Sequence, residues 1–405
     1  MRAVVLGGGG LTGRAAVRQL AEGKVFDEVV AADVDLPLGR AAAQSAGRLA
    51  SASPLDVRDR DATARLLRGA AVVVNATPYA FNLDAMAAAL AANVPYLDFG
   101  GLFHTTRRQL ERDPEFRSAH LLAVPGLGQV PGVSNVLAGA AAETLERVDS
   151  IVIRDGWRDL RPGGPALSFT WSPVTFLEEM VRPAVVFEEG RYEERPPMSD
   201  PEEYDFAPPV GRTKVYRTLH SEPATLPESL KAKGLRRCEW KEGGPGIELL
   251  RTLGELGLGS ETPVDVRGAK VVPREFLLAL LRRENLLGPA PGAVVDDWEV
   301  LDLELRGSER GRPVVVHALA RFPPWPSWHL AATEYAVGTA GAVGAEMIAR
   351  GEVSGEGVVP PERCVPAAPF RRELQRRGIA TAIVPPERPL PAFAPRNTRN
   401  SSESG

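Results

Sequence analysis

RAVVLGGGGLTGRAAVRQL, running from Arg2 to Leu20, sets a short β-branched run against four glycines and an Ala/Val/Leu-rich helix. Val4-Val5-Leu6 reads as a strand, the glycines as a tight turn, and Leu11-Thr12-Gly13 as the first turn of the helix. A dinucleotide pyrophosphate needs these parts in this order. Gly8 is assigned to the tight turn, Gly10 to close approach of the backbone to phosphate, and Gly13 to close packing of helix on strand. The unpaired N–H groups of the helix start, at the positive end of its dipole, then face the anion. Gly7, Gly10 and Gly13 fit an alternative G-x-x-G-x-x-G register, and sequence alone leaves the two open. A second apolar run, Asp27 to Asp33, ends in an acid twenty residues past Gly13. An acid there hydrogen-bonds a ribose 2′-hydroxyl and repels a 2′-phosphate, so Asp33 favours NAD over NADP. Asp35 competes for the same role, and Arg40 could instead pair with a 2′-phosphate.

Composition narrows the class. A chain of 405 residues is long enough for two domains, and 44% hydrophobic with 25% charged residues is a globular balance. The net charge of −4 gives no reason to expect nucleic acid or an anionic membrane as partner. No apolar run reaches the length of a membrane span. The N-terminus enters a strand directly, without a basic region or cleavage site. Cys238 and Cys364 are the two cysteines, far apart and in no metal spacing, which argues against a disulfide framework and for a cytoplasmic location.

The first part alternates strand and helix, the pattern of a parallel sheet with right-handed crossovers. The strand Ala71–Val74 runs into Asn75-Ala76-Thr77-Pro78, which places small and turn residues on the ligand-binding carboxyl edge of the sheet. The Gly/Pro-rich segment Pro125–Gly132 marks a boundary, with Ser134 as N-cap of a helix over Asn135–Leu145. From Ile151 onward come alternating strands with hairpin-like spacing, including Leu167–Trp171, and fewer helices. That predicts a mixed, largely antiparallel sheet. The expected fold is therefore α/β: a doubly wound parallel dinucleotide-binding sheet over residues 1–125 and an α+β substrate and dimerisation domain over 126–332. A helical segment over 333–384 and a disordered Pro/Ser/Arg-rich tail over 385–405 follow.

Several segments together resemble the saccharopine dehydrogenase family. They are GGGGLTGR (7–14), VVNATPYAFN (73–82) with YLDFGG (96–101), PGLGQVPGVSN (125–135), FTWSPVTFLEEMVRPAVVFEEG (169–190), YRTLHSE (216–222) and GVVPPERCVPAAPFRRELQRRGI (357–379). The resemblance runs from the first strand to about Ala380. It implies a Rossmann domain, a second domain carrying the substrate site, a C-terminal segment packed back on the first domain, and a homodimer. It also implies hydride transfer between NAD or NADP and a carbon bearing nitrogen, on an amino acid or polyamine-like substrate.

Such chemistry needs a proton-handling group, because an amine must be neutral to release hydride and an imine is best reduced when protonated. His220 is the leading candidate, since an unperturbed imidazole titrates near ~6.5, with Glu222 close enough to share the task. Asp98, ending a strand before Gly100-Gly101, is a third candidate for catalysis, against the plainer role of capping a turn. Trp171, in Trp-Ser-Pro, is assigned to the substrate wall. Arg154 and Arg217 are candidate carboxylate anchors, with Arg321 behind them. Asn75, Thr77 and Pro78 are placed along the adenosine-to-nicotinamide path, and Asp56-Val57 at the adenine. The remaining histidines have no ligand spacing, so no metal is expected. The alternative from another class is a non-catalytic dinucleotide-binding redox sensor.

Overall fold

The computed structural model describes residues 1–162, 169, 171–284, 286 and 294–385. Its first unit follows from four near-continuous apolar runs, which must be covered on both faces. β1 (Arg2–Leu6), β2 (Glu28–Asp33), β3 (Ala50–Pro54), β4 (Val72–Asn75), β5 (Tyr96–Asp98) and β6 (Leu122–Val124) pair in parallel. The crossovers are α1 (Leu11–Glu22), α2 (Leu36–Ala46), α3 (Arg60–Leu67), α4 (Asn82–Ala92), α5 (Leu102–Leu110) and α6 (Asp113–Ser118). β1 is flanked by β2 on one side and β4 on the other, so the strand order reverses there. The crevice at the carboxyl ends of β1 and β4 is the topological switch point, where α/β sheets bind ligands.

α7 (Val133–Glu143) leads into the second unit. Its helix begins one residue before the expected N-cap: Gly132 caps it, and Ser134 lies inside the first turn with its hydroxyl turned to Glu222. β7 (Arg147–Asp159) is followed by α8 (Pro173–Val181), β8 (Ala184–Glu188), β9 (Arg191–Arg195), β10 (Ser199–Asp205), β11 (Arg212–Arg217), α9 (Leu226–Ser229) and β12 (Arg237–Gly243). Then come α10 (Ile247–Glu255), β13 (Val264–Val266), β14 (Ala269–Val271), α11 (Pro273–Arg283), β15 (Asp297–Glu309) and β16 (Arg312–Phe322). The large sheet runs β10-β11-β12-β7-β15-β16 and is closed by a late strand described below. β7 and β12 are parallel, whereas β15 and β16 pair antiparallel with their neighbours, so the sheet is mixed and largely antiparallel. The hairpins β8–β9 and β15–β16 turn on Glu189-Gly190 and Arg310-Gly311, each pair at positive φ, the two-residue turn whose twist matches the strands.

Strand alternation assigns every side chain in this sheet to a face. Ile151, Ile153 and Asp155 of β7 face the core and cavity together with Cys238, Trp240 and Glu242 of β12 and Glu299, Leu301 and Leu303 of β15. Arg154, Lys241 and Asp302 therefore point to the opposite face.

The C-terminal segment is not purely helical. α12 (Ala332–Ala349) packs along α1, where a Cβ on Gly338 would lie 2.5 Å from that of Ala15. Gln19 donates to Thr339 across this seam at 3.0 Å, and Arg14 pairs with the buried Glu334 at 3.0 Å. β17 (Gly357–Val358) then adds a parallel strand to the first sheet beside β6. α13 (Pro361–Cys364) and α14 (Ala367–Arg376) lead to β18 (Ala380–Val384), which adds an antiparallel strand to the second sheet beside β16. Of the expected tail over 385–405, residues 386–405 lie outside the described residues. So does most of the expected strand Leu167–Trp171, of which Phe169 and Trp171 are described.

Candidate active site

The glycine turn after β1 is built by contacts closer than any side chain permits. Gly7 sits at φ +71°, and a Cβ there would meet the backbone of Ala76 at 2.8 Å. Gly13 packs on the same point: its Cβ would fall 2.1 Å from the Gly7 carbonyl oxygen. Gly10 is the N-cap residue of α1 and donates to Gly7 at 3.1 Å. The turn thus uses the Gly7-Gly10-Gly13 register. Gly8 and Gly9 are the central residues of that turn, and Gly8 also lets the loop pass over β2, where a Cβ would lie 2.8 Å from Ala31 Cα. Gly10, Leu11 and Thr12 border a large cavity, while Gly8 and Gly13 lie behind them. Asp33 ends β2 and braces this loop, accepting from Gly9 N–H at 2.9 Å and Asp35 N–H at 2.9 Å. Asp35 itself is committed to capping α2. The first-turn amides of α1 and the glycine cradle fit a dinucleotide diphosphate.

The cavity, about 400 Å³, runs from this turn past Thr77, Pro78 and Tyr79 to the face of the second sheet. His220, in the loop after β11, lies in its wall and is 4% exposed. Its ring stacks on Trp240 with centroids 3.8 Å apart and planes 9° from parallel. Nδ1 is hydrogen-bonded to Glu222, which also accepts from Ser134 Oγ at 2.6 Å. Nε2 is therefore the nitrogen left for the cavity, with Glu179 Oε1 3.8 Å away. Glu222 is fully buried behind the imidazole and does not reach the cavity. Trp171 lines the cavity next to Phe176, ring centroids 5.8 Å apart, with Phe169 on the far side of Phe176.

Six carboxylates line the same space, and four of them, Asp155, Glu179, Glu242 and Glu299, are at most 5% exposed. Burial raises the pKa of Asp155, and its neighbour Glu299 raises it further. Burial likewise raises Glu179, with Glu242 and Glu222 adding to the effect. Glu242 is raised by burial too, against which His220 and the Thr218 hydroxyl lower it. At the rim, burial pushes Asp297 up to about 6.

Several expected site residues are placed elsewhere. Asp98 is fully buried and spends both oxygens on the protein, accepting from Tyr96 Oη at 2.8 Å, Gly100 N–H at 2.9 Å, Gly126 N–H at 2.7 Å and Gln109. It ties the end of β5 to the interdomain segment and faces no ligand space. Asn75 is 1% exposed and bonded to Asn82 at 2.9 Å, Tyr96 at 3.1 Å and the Thr77 hydroxyl at 2.6 Å, so it shapes the turn that presents Thr77 and Pro78. Asp56 is held by Arg58, which pulls its pKa down to about 2, and Val57 is buried in the core. Arg154 pairs with Glu202 at 3.1 Å, and Arg217 with Glu239 at 2.6 Å and Asp200 at 2.9 Å. Both lie on the sheet face away from the cavity, because Asp155 and Tyr216, next to them in their strands, face toward it. Arg321 shares that outcome, its guanidinium 4.2 Å from the Trp298 ring.

The reasoning from sequence missed the four carboxylates and Trp240. A signal was present: continuing the apolar parity Ile151, Ile153 brings Asp155 to the buried face, and Cys238, Trp240 does the same for Glu242.

Residues 3–124 match the family model described as saccharopine dehydrogenase NADP binding domain, and residues 128–379 match that of the saccharopine dehydrogenase C-terminal domain. Carboxyaminopropylagmatine dehydrogenase from Synechocystis sp. is 24% identical over 400 residues, covering 93% of this chain and 96% of that protein. Among solved structures, apo saccharopine dehydrogenase (L-Glu forming) from Saccharomyces cerevisiae superposes with a TM-score of 0.71 at 17% identity, over 95% of this chain and 99% of that one. Homospermidine synthase from Legionella pneumophila, in complex with NAD, superposes with a TM-score of 0.61 at 14% identity, over 100% of this chain and 94% of that one. These two likenesses show a shared fold.

Proposed function

The chain belongs to the saccharopine dehydrogenase family, and from that premise we propose that it is an NAD(P)-dependent oxidoreductase acting on a C–N bond of an amino acid or related amine. The observation that carries this reading is that the imidazole of His220 and the diphosphate turn of α1 border one cavity. The nicotinamide coenzyme supplies or accepts the hydride when bound. The amides of Leu11 and Thr12 hold its diphosphate, with Gly13 packing α1 close behind them. Asp33 holds its adenosine ribose, and the Thr77-Pro78 turn guides it toward the second sheet. In the oxidative direction His220 Nε2 takes a proton from the substrate nitrogen, and in the reverse direction it returns that proton. Glu222 accepts from Nδ1–H, fixes the tautomer and stabilises the imidazolium. The Trp240 face holds the ring plane, and Trp171 with Phe169 and Phe176 keeps water from the reacting carbon.

The test is reduced-nicotinamide absorbance with purified protein, NAD or NADP, and a panel of amino acids, diamines and their imines. Turnover with an amine or imine supports the reading. Coenzyme binding with no turnover across the panel replaces the enzyme with a redox sensor. His220→Gln is expected to lower kcat by about a hundredfold or more with coenzyme affinity unchanged. A homodimer and a cytoplasmic site of action belong to the same reading, and sedimentation and cell fractionation test them. Among the described residues no helix is long and apolar enough to cross a membrane.

A further inference from the structure

We infer that Ser134 and Glu362 are positioning residues for His220. A hydrogen-bonded strut runs from α13, near the end of the chain, through the first turn of α7 to the carboxylate that holds the imidazole. This deepens the oxidoreductase reading above and rests on it.

An imidazole takes a proton through the nitrogen that presents its lone pair, and the hydrogen bond of the other nitrogen decides which one that is. Trp240 fixes the plane of the His220 ring, but a ring turned over by half a revolution would stack as well. Glu222 removes that freedom by binding Nδ1 through Oε2. A carboxylate held at one oxygen still swings about its last bond. Glu222 is held at both, because Oε1 accepts from Ser134 Oγ at 2.6 Å. Both side chains are fully buried, so solvent does not supply that hydrogen bond.

Asn135, the next residue of α7, grips the same turn at a second point. Its Nδ2 donates to Thr225 Oγ1 at 3.1 Å, and Thr225 N–H donates to the Glu222 carbonyl at 3.2 Å. Asn135 Oδ1 accepts from Gly132 N–H at 3.1 Å, which starts α7, and Nδ2 is left for acceptors. Glu362 of α13 supplies one: Oε2 accepts from Asn135 Nδ2 at 2.9 Å, and Oε1 accepts from Ser229 Oγ of α9 at 2.8 Å. Without an acceptor at 362 the Asn135 amide is free to turn over. Its Nδ2 would then meet Gly132 N–H, donor against donor, and the first turn that aims Ser134 would loosen. Glu362 needs only to accept. A glutamine there can turn its oxygen to Asn135 and its nitrogen to the Ser229 hydroxyl, which also accepts.

Proton NMR of the full-length protein carrying isotope-labelled histidine tests this, beside reduced-nicotinamide turnover and NADH titration. The parent is expected to show an exchange-protected imidazole N–H resonance that is absent from His220→Gln. Ser134→Ala and Glu362→Leu are each expected to broaden or lose that resonance. Each is also expected to lower kcat about tenfold while the NADH dissociation constant stays within about threefold. Glu362→Gln, which keeps an acceptor, is expected to restore the resonance and most of kcat. Thermal melts verify that the variants fold, and Ser134→Ala carries the test if Glu362→Leu does not. A folded Ser134→Ala or Glu362→Leu protein that keeps the parent resonance or the parent kcat overturns the strut. The two readings fail separately. Parent turnover of an amine with both variants unchanged keeps the oxidoreductase and removes the strut; loss of the resonance in both variants of a protein that turns over no amine keeps the strut and removes the oxidoreductase.

Discussion

Replacing Gly13 by alanine probes the diphosphate turn at its tightest point. The added Cβ falls 2.1 Å from the Gly7 carbonyl oxygen, 2.9 Å from its carbon and 3.1 Å from Gly8 Cα. Ordinary contact begins near 3.4 Å, so α1 has to retreat by about 1.3 Å or the loop has to open. Retreat is blocked behind α1: Gly338 of α12 already touches Ala15 and Ala16, and Gln19 is bonded to Thr339. Overpacking of this kind costs about 1–3 kcal/mol in stability. The larger effect is on binding, because a shift of that size takes the amides of Leu11 and Thr12 out of hydrogen-bond range of a diphosphate. Losing one charge-assisted hydrogen bond of about 1.5–3 kcal/mol weakens the coenzyme by about ten- to a hundredfold. Fluorescence titration with NADH and NADPH reads this directly, with a thermal melt confirming that the variant folds. A folded Gly13→Ala protein that binds both coenzymes like the parent refutes the assignment of this turn.

Three further outcomes are expected. Glu222→Gln leaves His220 without its carboxylate partner, and kcat falls by about ten- to a hundredfold; an unchanged kcat in a folded variant removes Glu222 from the proton path. Asp33→Ser takes away the charge facing a 2′-phosphate, so the ratio of NADPH to NADH dissociation constants drops, and a ratio that stays put assigns coenzyme choice elsewhere. Glu334 is buried and its pKa is raised by that burial to about 7, despite Arg14 beside it. The folded state therefore holds a proton that the unfolded state has released, so this contribution is complete below the unfolded value of 4.5 and is lost as pH rises through 7. Glu334→Gln should gain stability over the parent between pH 5 and 8, by up to about 3 kcal/mol, and parallel melting curves across that range contradict it.

The phosphate turn was legible because its meaning is local: Gly7, Gly10 and Gly13 pack against one another within a seven-residue stretch. His220 and Glu222 were legible for the same reason, lying two residues apart. What could not be read was which face a side chain takes once strands from distant parts of the chain align. Arg154 looked like an anion anchor by charge alone, yet Asp155 takes the cavity face and turns its neighbour away. Asp98 carried the right chemistry at the right sheet edge, and only the arrival of Gly126 and Gln109 from later segments shows it to be fully consumed by hydrogen bonds. The hairpin β8–β9 was missed because its second strand, Arg191 to Arg195, is so highly charged that it reads as a solvated loop. Glu179 carries no local signal of its place in the cavity, since nothing in its own segment tells which side of α8 is covered.

Each of the two sheets receives a strand from the far end of the chain, β17 beside β6 and β18 beside β16. During synthesis, then, both sheets stay one strand short until residues 357–384 have emerged from the ribosome. The nucleotide-binding half cannot mature as an independent early module while the substrate half is still being made. A nascent chain arrested before residue 350 should be far more protease-sensitive in both halves than the finished protein, and the pair should lock together in a single late step.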